Sequence, residues 1–144
     1  MPLSFVFESF PKDLAEAKHN LSMDRLKLTL VGPDHPPATS NSTLHDLKPI
    51  DMTHCKDVDL NVMDVAPVGA VARVKIADKS LHSNGGPTGP FRYAVIYNDT
   101  SDEKCLIGMQ DFGHDHPQTI EDGQSQIIHF DPDNGGIMIQ AVLP

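Results

Sequence analysis

FRYAVIY, residues 91–97, is the stretch that decides the fold. On an extended chain Phe91, Tyr93, Val95 and Tyr97 fall on one face, and Ala94 and Ile96 on the other. A half-buried strand alternates apolar with polar residues. A run that is apolar on both faces suits a central strand covered on both sides. Residues 98–103 follow as a polar turn, and residues 105–112 read as the hairpin partner.

Working outward, the pattern stays that of strands. Residues 111–117, DFGHDHP, break the period, and residues 125–130 resume it. Residues 131–136, DPDNGG, are a strong turn signal, after which Ile137, Ile139, Ala141 and Leu143 alternate as a last strand. Upstream, residues 84–90 form a loop by composition. Residues 70–77 alternate Ala72, Val74 and Ile76 with Arg73 and Lys75, and residues 58–65 make a weaker strand. Residues 33–57 are rich in Pro, Ser, Thr and Asn with little period. They predict an extended loop or arm, which in an assembly can lie across a neighbour. Leu26, Leu28 and Leu30 alternate with Lys27 and Thr29 in a half-buried strand over residues 24–31. Phe10, Leu14, Ala17 and Leu21 recur at helical spacing. They predict one amphipathic helix over residues 10–21, with Ser9 as cap and Lys12, Asp13, Glu16 and Lys18 toward water.

Ten glycines and twelve prolines in 144 residues favour turns and short strands over long helices. One domain spanning residues 1–144 fits that length. The expected fold is therefore mainly β: an antiparallel sandwich or barrel of jelly-roll type, six or seven strands, with one short N-terminal helix. A formal charge of −9, with no Lys/Arg cluster, argues against nucleic acid as a partner. No apolar run approaches the length of a membrane span, and the first residues lack the pattern of a signal peptide. Cys55 and Cys105 are accordingly expected as free, buried thiols.

Catalytic and ligand-binding patterns are sparse. His114 and His116 flank Asp115, and His129 or Asp111 is a conceivable third ligand; yet there is no His-Glu-x-x-His helix and no paired-Cys motif. The expectation is no bound metal, with His114, His116 and His129 as the only candidates. No Ser or Cys sits in a nucleophile elbow. Asp51, Asp57, Asp59, Asp64, Asp99, Asp102, Glu103, Asp131 and Asp133 fall at turns and strand ends, where Asp is chosen for backbone reasons. The 131–136 turn lacks the rest of a calcium loop, and the glycines at 85–89 lack the lysine and helix of a phosphate-binding loop. Phe91, Tyr93 and Tyr97 are expected in the core, not as a stacking platform. No catalytic residue and no cofactor is expected.

Residues 85–100, GGPTGPFRYAVIYNDT, resemble a segment of small structural proteins of tailed-bacteriophage virions, in which a glycine-rich turn leads into an Arg-Tyr strand ending in Tyr-Asn-Asp. Residues 106–113 (LIGMQDFG), residues 127–130 (IIHF) and the closing Gly-Gly-Ile strand are similar to that group as well. So, more loosely, are the early helix and LKLTL at residues 26–30. Residues 33–60 match nothing in it. The resemblance implies a non-enzymatic virion protein made in the host cytoplasm. The group includes head decoration or cement proteins, head fibres and tail components. For a cement protein the expected partners are the major capsid protein and copies of itself, as in a homotrimer, with no nucleic acid and no membrane. The helix face, the arm and the 84–90 loop are the expected contact regions. A tail, neck or fibre component and a carbohydrate-binding module for host adsorption are the alternatives.

Overall fold

The computed structural model describes residues 5–69, 71–115, 117–130 and 136–140. Strand β1 (Phe5–Val6) precedes helix α1 (Ser9–Ala15) and β2 (Leu26–Val31). A long irregular stretch follows, with one 3-10 turn (Leu44–Asp46). Then come β3 (Val62–Val68), β4 (Val71–Ile76), β5 (Lys79–His82), β6 (Thr88–Phe91), β7 (Tyr93–Asn98), β8 (Leu106–Asp111), β9 (Gln118–Ile120), β10 (Ser125–Ile128) and β11 (Gly136–Gln140). The chain is mainly β with one short helix. Every strand pairing is antiparallel, in sheets ordered β1-β8-β7-β2, β11-β4-β3, β10-β5 and β6-β9.

Strand β7 lies inside the four-stranded sheet and is buried along its whole length, as its two apolar faces require. One face carries Leu26, Leu28, Leu30, Ala94, Ile96 and Ile107 into the main core. There they meet Val74 and Ile76 of β4, Leu81 of β5, Ile120 of β9, Ile128 of β10 and Ile137 of β11. The other face carries Val31, Tyr93, Val95, Tyr97, Leu106 and Met109 into a second core with Phe7, Leu44 and Leu47. Phe91 departs from the expected face. It belongs to β6, which pairs with β9, and it enters the main core because Arg92 interrupts the strand.

The long stretch after β2 packs on its own sheet. Thr43 bridges Cys105, and the Leu106 N–H donates to Ser42 O at 3.0 Å, extending the β8 edge beyond β1. Leu44 and Leu47 then cover the second face, and Pro49 bridges Val31 on the opposite edge. Further along, the Ile50 N–H donates to Leu30 O, Leu28 N–H to Val58 O and Leu60 N–H to Leu26 O, each at 2.9 Å. The β2 edge and the part of β8 that β1 leaves free are thus occupied, which removes templates for unwanted pairing.

Several expected boundaries shift. The helix ends at Ala15, not at residue 21. Ala17 takes a left-handed conformation (φ 61°), the Lys18 N–H donates to Asp13 O at 2.9 Å and the Ala17 N–H to Leu14 O at 3.2 Å. This double closure terminates a helix. Ser9 is the first helical residue and not the cap, and Asp13 is buried instead of facing water, 3.6 Å from Lys18 Nζ. The weak strand lies at Val62–Val68. Strands β1, β5, β6 and β9 were not expected; each is short, and β6 begins inside the glycine-rich loop. The 131–136 turn falls almost wholly outside the described residues. The strands on either side of it pair with different partners, β10 with β5 and β11 with β4.

Candidate interaction surface

At the end of β7, Asn98 is fully buried and ties three segments together. Its Nδ2 donates to Asp24 Oδ2 at 2.7 Å, to His19 Nδ1 at 2.9 Å and, more weakly, to Lys18 O at 3.4 Å. Its Oδ1 accepts the Thr100 N–H at 2.9 Å and the Ser101 N–H at 3.4 Å. Asp24 Oδ2 also accepts the Asn20 N–H at 2.7 Å. One side chain thereby joins the turn after β7 to the segment linking α1 with β2. Sequence reading passed over Asn98 as a turn residue. The signal present was an Asn at the end of an otherwise apolar strand.

Beside this junction a groove of about 410 Å³ runs between the end of α1 and the β11-β4-β3 sheet, lined by Leu14, Ala17, His19, Leu21, Val65 and Ile139 among others. A second hollow of about 280 Å³ shares Ser22 and Val65 with it and continues along β3 past Met63. Met63 is 58% exposed, Val65 41% and Met23 79%. Met63 and Val65 line the hollows, and Met23 follows Ser22, which lines both. Strand β3 is an edge in its sheet, and a bulge between Val62 and Asp64 with Pro67 beyond it interrupts regular pairing there. What this surface offers is side-chain burial, not strand addition.

The glycine-rich loop is a structural tie. The His54 imidazole lies on Gly86, where a Cβ would come within 2.7 Å of Nε2, and the Asn84 N–H donates to His54 O at 2.9 Å. At Gly89 (φ +141°) a Cβ would meet Gln118 O at 2.8 Å, so the backbones of β6 and β9 approach closely only with glycine there. The Gly85 N–H is taken by Asp122 Oδ1 at 2.9 Å. The Asp122 carboxylate thereby takes a loop N–H that an anion would otherwise accept.

Of the metal candidates, His114 Nδ1 lies 3.1 Å from Asp115 and His129 Nδ1 lies 3.0 Å from Asp78, all four exposed. His116 is outside the described residues. Asp111 holds Arg92 in a two-point pair at 2.8 and 3.0 Å, and Arg92 lies 5.0 Å from the Tyr93 ring centre. Among the described residues no three His, Cys, Asp or Glu side chains converge on a metal position. Cys55 and Cys105 are free and buried, and burial pushes both thiols up in pKa. Phe91, Tyr93 and Tyr97 are buried, so they form no platform for stacking on sugars. Among the described residues no helix is long and apolar enough to cross a membrane. Compared with protein-family models, curated proteins and solved structures, the chain matches none.

Proposed function

We propose that the chain is a structural protein of the tailed-bacteriophage particle, and within it a head decoration protein that cements the capsid by binding between major capsid subunits. The observation that carries this reading is the resemblance of residues 85–100 and the strands after them. That segment is the centre of the fold, because β7 is buried on both faces and the 84–90 turn ties β6 to His54 and β9. The resemblance therefore lies in the framework and not in a peripheral loop.

The physical requirements of a cement protein are consistent with the rest of the chain. A sheet covered on both faces, and braced along β2 and part of β8 by the stretch after β2, suits a protein that must hold its shape on a lattice. The −9 charge favours solubility before assembly and can complement a basic partner surface. The exposed Met63 and Val65 side chains along the hollow supply apolar area to bury. Modest contacts suffice in a homotrimer seated on a symmetric lattice, since linked contacts raise the effective concentration of one another.

Cryo-electron microscopy of the intact particle tests the proposal. The expected result is density for this chain on the head, at junctions between major capsid subunits, in one copy per subunit or a simple fraction of that. A few copies confined to the tail, neck or fibres would replace the head assignment. Absence from purified particles would overturn both.

A further inference from the structure

His19 is 5% exposed and its ring packs against Phe10, with centroids 5.2 Å apart. Its protonation state follows from the hydrogen bonds around it. Asn98 Oδ1 accepts two backbone N–H groups, so the amide cannot turn over without orphaning both. The Nδ2 hydrogens are directed at Asp24 Oδ2 and His19 Nδ1. His19 Nδ1 must therefore be the acceptor, and the ring is the neutral tautomer with its hydrogen on Nε2. Nε2 is buried and has no partner among the described residues. A second proton on Nδ1 would point one N–H at another.

We propose that His19 is a proton-sensitive latch: protonating the imidazole breaks its junction with Asn98 and releases residues 16–24, together with α1, from the end of β7. The charged groups facing the ring are Asp13 from α1, and Lys18 and Asp24 from its own segment; Glu103, in the turn after β7, faces Lys18 at 4.0 Å. Among the described residues, strands β3, β4 and β11 bring Val65, Val74 and Ile139 to the groove that His19 also lines. Burial lowers the imidazole pKa and outweighs Asp13 and Asp24, which act to raise it, while Lys18 adds to the lowering. The released piece is the part least able to hold its own shape. A seven-residue helix does not persist without packing, and its Ala17 stop is strained. Release also separates Leu14, Ala17 and Leu21 from the Val65–Ile139 wall, so the proton controls access to the groove.

Native-state hydrogen exchange on the full chain tests this, read at the Lys18 and Asp24 amides, which donate to Asp13 O and Asn20 O. Corrected for intrinsic exchange, their opening constant rises by up to about tenfold per pH unit below about pH 6.5, and at each pH it exceeds that of the β7 amides, which open only with the whole chain. His19→Gln can accept from Asn98 but does not titrate, so its opening constant stays flat over the same range. An equal slope in H19Q, no slope in the unaltered chain, or Lys18 and Asp24 opening constants no larger than those of the β7 amides would each overturn the latch. If H19Q does not fold, ring-nitrogen NMR of the unaltered chain decides. Coupling of ring protonation to loss of Lys18 and Asp24 protection supports the latch. Protonation with that protection unchanged overturns it.

Discussion

Asn98 shows how much backbone one side chain can hold. Replacing it with Ala leaves the Thr100 and Ser101 N–H groups and the Asp24 carboxylate without this partner. Asn98→Ala should cost about 2–4 kcal/mol, seen as a lower denaturation midpoint with an unchanged denaturant slope. Ala17 is the opposite case, a residue that a change should improve. Its φ of 61° is unfavourable for any side chain, and the two closing hydrogen bonds there are made by backbone. Ala17→Gly should raise stability by about 0.5–1 kcal/mol, the relief of left-handed strain exceeding glycine's extra unfolded-state entropy; thermal denaturation checks it. Beyond an Asn that closes an apolar strand, nothing in the sequence marked either position. Ala17 fits the helical spacing of Phe10, Leu14 and Leu21, and nothing local announces that the chain turns left-handed to bring His19 to Asn98.

Among the elements, the glycine-rich turn and the long arm show what composition conveys and what it omits. Glycine density marked residues 84–90 as a loop, which holds for 84–87 until β6 begins at Thr88, but the reason for Gly86 is a ring from residue 54. Gly86→Ala should cost about 1–3 kcal/mol, because its Cβ meets the imidazole and one of them must move. Adding His54→Ala should recover a large part of that loss, whereas additive penalties in the double-mutant cycle would show that the contact is not the cause. The arm carried no period, since its apolar residues Leu44 and Leu47 serve a face of the sheet and not a repeating element. Its anchor is Asp46, which accepts the Ser42 and Thr43 N–H groups at 2.8 and 3.1 Å. Such a staple is visible as Ser-Thr-x-x-Asp only once the 3-10 turn is known.

At the scale of the whole molecule, acid should lower stability in two phases. Asp46, held by the Ser42 and Thr43 N–H groups, Asp78 by the Phe130 N–H and His129, Asp57 by Lys79 and Asp111 by Arg92 all have lowered pKa values. A carboxylate depressed in the folded state contributes fully above its unfolded value of about 3.9, and the contribution is lost as pH falls through the lower folded value. His19 acts earlier: its folded pKa is also lowered, so the unfolded state takes up the proton first and stability declines below about pH 6.5. Chemical denaturation across pH should show both phases, and His19→Gln should remove only the upper one. A single decline confined to the carboxylate range in the unaltered chain would contradict the assignment to His19.

The mainly β character, the antiparallel pairing of β7 with β8 and the two-faced burial of β7 were legible in the residues alone, because strand period and hairpin turns are local properties that the residues carry with them. So was the burial of Cys55 and Cys105. Only the tertiary structure decided that the 42–50 segment covers the second face, that the helix stops early, that Phe91 turns into the main core and that His19, Asp24 and Asn98 meet. Those outcomes depend on residues tens of positions apart. Where they meet is set by the packing of whole faces, and no local pattern encodes it.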